Sequence, residues 1–103
     1  MKLDILILSL LAGEDMYGYQ ISLALKERSV GVFDLKEGTL YPLLHALENA
    51  RAVEAYWLDA DNGKRRKYYR VTQTGRKLLE QKKAEWQRYS AAVSAVIGGV
   101  CCE

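Results

Sequence analysis

The chain has a single proline, Pro42, and it falls inside a leucine stripe. Together these two features restrict one helix more tightly than any other element of the 103 residues. Leu40, Leu43, Leu44 and Leu47 recur at i, i+3, i+4 and i+7, the spacing that lines one side of an α-helix. Proline has no N–H, so it fits best in the first turn, where that donor would have no partner. The helix is therefore predicted from Gly38 or Thr39 to Ala50. Thr39 is the expected N-cap, because its hydroxyl can accept a first-turn N–H.

Two helices are expected before it. Leu3 to Ala12 is apolar on almost every side, so a helix there must be buried on most faces. The run follows Lys2 and has a superficial likeness to a targeting segment. Asp4 interrupts it, however, and Glu14 and Asp15 stand where a small-residue cleavage site belongs. It is also far shorter than the about 20 residues needed to cross a bilayer. Tyr17 to Ser29 follows, with Ile21, Leu25 and Arg28 on one stripe and Ala24 beside it.

Two strands are expected after the leucine helix, Val53 to Leu58 and Arg66 to Val71. Asp61-Asn62-Gly63 lies in the gap, and Asn-Gly is a hairpin signal because both residues accept positive φ. A long final helix then starts near Thr72 and runs to about Ile97. Leu79, Lys82, Trp86, Tyr89, Val93, Val96 and Val100 step along it by threes and fours, and Gly98-Gly99 ends it.

Three helices, a hairpin and a long helix in this order give a mainly α (α+β) class. The arrangement is a winged helix-turn-helix with a two-stranded wing over residues 1–72 and a dimerisation helix with tail over 73–103. If the leucines of the third helix point inward, Gly38, Tyr41, Pro42, His45 and Asn49 form the outward face, with Thr39 and Ala46 at its flank. Lys36 precedes that helix, and a helix N-terminus with small residues lets phosphate approach.

Net charge is only +2, but its distribution is uneven. No acid occurs between Asp61 and Glu80, a stretch that holds Lys64, Arg65, Arg66, Lys67, Arg70, Arg76 and Lys77. A basic ribbon beside a helix-turn-helix suits a nucleic-acid backbone. Lys64, Arg65, Arg66, Lys67 and Tyr68 join the candidate DNA-binding residues. Packing or a solvated surface is the plainer reading of His45 and Tyr41.

These blocks carry a family resemblance. Tyr17-Gly18-Tyr19-Gln20-Ile21, Gly38 to Leu44, Leu47-Glu48, and Arg65 to Thr72 with Gly75 resemble the PadR family of transcriptional regulators, in its short subclass. The likeness runs from about Leu3 to Trp86. It implies a winged helix, a homodimer formed mainly through the last helix, and repression of nearby genes. One departure is Ala46, where the family often has arginine before Leu-Glu.

The stripe of the last helix has no partner in so short a domain, so Leu79, Trp86, Tyr89, Val93 and Val96 are expected at an interface with a second copy. In short members of this kind a tryptophan in this region lines a cavity between subunits. Trp86, with Tyr89, is thus a candidate platform for a small aromatic effector, with ordinary interface packing as the alternative. Double-stranded operator DNA is the expected main partner, and a winged-helix module that binds protein is the competing reading.

No cofactor, metal or membrane is implied. Cys101-Cys102 is neither a disulfide framework nor a CxxC motif, and free thiols fit a reducing cytoplasm. Glycine-rich phosphate loops, HExxH and nucleophile motifs are absent from the sequence, so it does not read as an enzyme.

Overall fold

The computed structural model describes residues 3–98. Val100 and the Cys101-Cys102 pair lie outside them. In chain order the elements are α1 (Asp4–Gly13), β1 (Met16–Tyr17), α2 (Gly18–Arg28), α3 (Glu37–Asn49), β2 (Val53–Asp59), β3 (Arg65–Val71) and α4 (Gln73–Val96). This is the winged helix-turn-helix with a long C-terminal helix.

Helix α1 is buried as its all-round apolarity demands: Ile7, Leu8, Leu10 and Leu11 are enclosed. Ile21 and Leu25 of α2, and Leu40, Leu44 and Leu47 of α3, close on it from the other side. Val53, Tyr69 and Val71 complete the core from the hairpin.

The sheet has three strands, not two, in the order β1-β3-β2. Met16 and Tyr17 pair antiparallel with Tyr69 and Tyr68. A two-residue strand has no periodicity to detect, which is why the sequence does not reveal it. Its effect is to fasten the start of α2 to the inner edge of the wing.

The wing tip also differs from a two-residue Asn-Gly turn. Gly63 N–H donates to the Ala60 carbonyl at 2.9 Å, so Asp61 and Asn62 are the central pair. Positive φ occurs at Gly63 (84°) and not at Asn62. That is a type I turn followed by a left-handed glycine, another common hairpin form. Asn62 contributes through its side chain, whose Oδ1 accepts from Lys64 N–H at 3.1 Å.

The start of α3 is corrected as well. Its N-cap is Lys36, without a side-chain cap, and Thr39 lies inside the helix. Pro42 therefore sits beyond the first turn. Its missing N–H leaves the Gly38 carbonyl without an i+4 helical donor. Gly38 and Pro42 are both exposed, so water can satisfy that oxygen and the cost is small.

Helix α4 begins at a well-formed cap. The Thr72 hydroxyl accepts from Gly75 N–H at 3.0 Å and donates to the Arg51 carbonyl at 2.7 Å. Gly75 is a close-approach glycine: a Cβ there would collide with the Ala52 carbonyl. Further on, Lys82 Nζ pairs with Asp4 Oδ2 at 3.2 Å, with both side chains largely covered. The first half of α4 thus belongs to the core, although the expected division falls between residues 72 and 73. Leu79, expected at an interface with a second copy, is only 3% exposed within this chain, so it is already covered by its own core. Beyond Lys82 the helix leaves the body, and Trp86, Tyr89, Val93, Val96 and Ile97 are exposed.

Candidate nucleic-acid interface

The geometry of the interface follows from which way α3 turns. With Leu40, Leu44 and Leu47 buried, Gly38, Thr39, Pro42, His45, Ala46 and Asn49 are all exposed. Lys36 is exposed just ahead of them. This face carries short and polar side chains, so backbone and side-chain groups can both approach a groove.

Tyr41 and Glu48 lie one stripe around the helix, towards the wing. Tyr41 is half-exposed and rests on the start of α2. A Cβ on Gly18 would stand 2.8 Å from Tyr41 Cε1, so only glycine leaves room for the ring. The packing reading of Tyr41 therefore holds in part, with the start of α2 as its support. Glu48 Oε1 reaches across to Lys67 Nζ at 3.6 Å.

The wing has two distinct faces because residues alternate along a strand. The register pairs Ala55 with Tyr69, Trp57 with Lys67 and Asp59 with Arg65, and this face meets α3. The Arg65 guanidinium lies 5.3 Å from the centre of the Trp57 ring, and its Nε is 3.6 Å from Asp59 Oδ1. Lys67 Nζ lies 5.5 Å from the centre of the Tyr69 ring. Burial pushes the Tyr69 phenol above its ordinary pKa, and the Glu48 carboxylate adds to the shift while Lys67 opposes it.

The opposite face is an aromatic ladder. Tyr68 stacks on Tyr56 at 5.8 Å and meets Tyr17 edge-on at 5.3 Å. Arg66 sits over Tyr17 at 4.5 Å and donates to its hydroxyl at 2.9 Å, and Arg70 sits over Tyr56 at 4.9 Å. The Tyr56 hydroxyl donates to Asp15 Oδ2 at 2.5 Å, and this bond holds the phenol protonated above its usual range. Tyr68 thus points away from α3, unlike Lys67 and Tyr69.

Between α3 and the wing lies an open cleft of about 340 Å³. Tyr17, Gly18 and Tyr19 at the start of α2 and Tyr41 of α3 line one side, and Trp57, Arg65, Arg66, Lys67 and Tyr69 of the wing line the other. Of the expected contact residues, the structure brings Tyr41, Arg65, Arg66 and Lys67 together here. Lys64 stays exposed at the wing tip, and His45 and Asn49 on α3. The residue that sequence reasoning missed is Trp57. Its alternation with Ala55 and Val53 marks the inward face of the strand, which reads as core, but the wing extends beyond the core at that point and leaves it 53% exposed.

Among the described residues there is no cluster of His, Cys, Asp and Glu able to hold a metal ion. No helix there is long and apolar enough to cross a membrane.

Comparison with known proteins agrees with this geometry. The model of the PadR-like transcriptional regulator family matches residues 7–81. An uncharacterized protein of Lysinibacillus sphaericus is 37% identical over 98 residues, covering 95% of this chain and 90% of that one. The solved structure of a transcriptional regulator from Clostridium thermocellum superposes with a TM-score of 0.83 at 35% identity, covering 90% of both chains. A PadR family transcription regulator from Clostridium difficile superposes with a TM-score of 0.79 at 39% identity, covering 93% of this chain and 98% of that one. The family match spans most of the sequence and includes both halves of the cleft, and the chain belongs to the PadR-like family of transcriptional regulators.

Proposed function

We propose that this regulator is a homodimeric repressor that binds operator DNA through α3 and the wing. The carrying observation is that α3 turns an exposed polar face outward beside the cationic ribbon, joined to it by the Glu48–Lys67 pair and sharing a cleft with it through Tyr41. In this reading Lys36, Gly38, Thr39, Pro42, His45 and Asn49 enter the major groove. Lys64, Arg65 and Arg66 follow the adjacent phosphates.

The exposed apolar half of α4 supports the dimer. Trp86, Tyr89, Val93 and Val96 bury their apolar surface against the same helix of a second copy. Two-fold symmetry then sets the two copies of α3 about one helical turn of DNA apart, roughly 34 Å, which suits a pseudo-palindromic site. The Trp86 and Tyr89 rings, 6.0 Å apart and tilted by 34°, supply the aromatic wall for a planar effector between subunits. Such a ligand relieves repression only if it favours a spacing of the wings that DNA does not. The place of action is the cytoplasm, with the chromosome.

The test is a gel shift with the DNA upstream of the chain's own gene. Native protein gives a specific, salt-sensitive shift, and Arg65→Ala/Arg66→Ala weakens it by at least about tenfold. Unchanged affinity in the double variant overturns the wing's role. No specific shift at any salt concentration overturns DNA binding.

A further inference from the structure

We propose that the cleft between α3 and the wing is a seat for one sugar–phosphate unit of the DNA backbone, with Trp57 as the wall that covers the deoxyribose. This rests on the DNA-binding reading and extends it to a residue outside the basic block.

The cleft's chemistry selects the occupant. Its rim carries Arg65, Arg66 and Lys67, of which Arg65 is paired with Asp59 and Lys67 with Glu48, while its walls are aromatic, through Tyr17, Tyr19, Tyr41, Trp57 and Tyr69. A sugar–phosphate unit has the matching parts: a charged head and a compact ring with an apolar face. The volume of about 340 Å³ is at the small end of the range of ligand pockets, about 300–1,000 Å³.

Trp57 is held for this role. Across the strand pair its neighbour is Lys67, whose ammonium lies 3.6 Å from Glu48 and so links this part of the wing to the helix that carries Tyr41. Arg65 lies over the indole and is kept there by Asp59. The guanidinium is therefore held at the edge of the cleft, covering one face of the ring and leaving the other for the sugar. On the other wall, Gly18 lets Tyr41 recede and keeps the cleft open. An exposed tryptophan on a charged ribbon has a solvation cost in the free protein, and covering it on DNA removes that cost.

A backbone seat does not read sequence. Trp57 is thus expected to be covered on any duplex, specific or not, and its loss is expected to weaken binding equally on all of them.

The experiment uses the full native chain, with Trp57→Phe measured alongside so that the contribution of Trp86 is subtracted. Acrylamide quenching of Trp57 is measured free, with the upstream duplex, and with an unrelated duplex at low salt. Gel shifts run in parallel. Both duplexes are expected to cut quenching by roughly half or more. In the otherwise native chain Trp57→Ala lowers affinity about tenfold on both duplexes, with the salt slope unchanged because no cation is lost, while Trp57→Phe retains most of it. If the gel shows a complex and Trp57 remains as quenchable as before, the seat is wrong and DNA binding stands. If no complex forms with the native chain, both readings fall. Protection of Trp57 by benzoate, with displacement of DNA, would make the cleft a site for small aromatic anions and overturn the proposal.

Discussion

Lys67 on the wing and Glu48 on α3 form an ion pair 3.6 Å long, which joins the ribbon to the helix beside it. Lys67 lies within the basic block and reads from sequence as a phosphate contact, but its ammonium group already has a carboxylate partner and lies near the Tyr69 ring. The pair links the wing to α3 where the two elements approach.

Removing a negative charge next to DNA should strengthen binding if only long-range electrostatics mattered. Glu48→Gln is expected to weaken binding instead, by roughly three- to tenfold, because the wing loses its tie. Lys67→Gln is expected to weaken binding with little change in the salt slope, whereas Arg65→Ala lowers the slope by about one. Affinity measured across salt concentrations checks all three. Tighter binding by Glu48→Gln would show that Lys67 acts as a free cation.

Val30 ends α2 in the left-handed region, at φ 53°, a conformation that disfavours β-branched residues. Gly31 N–H donates to the Lys26 carbonyl at 2.8 Å and Val30 N–H to the Glu27 carbonyl at 3.2 Å, a Schellman closure in which glycine is the usual residue. The side chain is 90% exposed, so little packing offsets the strain. Val30→Gly should raise stability by about 1 kcal/mol, read as a higher urea midpoint at unchanged m-value. A lower midpoint would mean that the backbone carries no such strain.

Tyr56 and Tyr69 both hold their protons more tightly in the folded chain, Tyr56 chiefly through its bond to Asp15 and Tyr69 chiefly through burial. The unfolded chain releases these protons first. Their contribution is therefore complete below the ordinary phenol pKa of about 10 and is lost as pH rises beyond it. Urea unfolding from pH 8 to 11 should show native protein ahead of Tyr56→Phe at the lower end, with the gap closing above about pH 10. A gap that stays constant across the range would exclude the Asp15 bond as its source.

Val93 and Val96 lie on the exposed stretch of α4 with Trp86 and Tyr89. Val93→Glu/Val96→Glu puts two like charges into each half of the proposed interface. The sedimenting mass should fall to that of one chain, while far-ultraviolet circular dichroism keeps its helical signal at high protein concentration. An unchanged dimer would place the interface elsewhere.

Much of this fold is legible in the sequence, and the exceptions have physical causes. The leucine stripe of α3, the all-apolar α1 and the basic hairpin each rest on a periodicity that burial enforces. β1 escapes because two residues have no period. Thr39 misleads because the exposed Gly38 carbonyl tolerates Pro42 deeper in the helix than a first-turn rule allows. Leu79 and Trp86 share one stripe, yet Leu79 is enclosed and Trp86 is not. What separates them is where α4 leaves the body near Lys82, which depends on tertiary packing. Trp57 is missed for a related reason: strand alternation gives the side it faces, not whether the neighbour there is core or solvent.

Helix α4 is continuous over 24 residues and anchored at one end by the Thr72 cap, the Gly75 contact and the Asp4–Lys82 pair. At 1.5 Å per residue it is a rod of about 36 Å. In a two-fold dimer joined at the free ends, a tilt of about 5° swings each reading head by roughly 3 Å, close to one base-pair step. If the proposed dimer reads DNA with both heads, the whole head would travel with its lever, and the spacing of sites it accepts would be set far from the DNA, by the angle at which two rods cross.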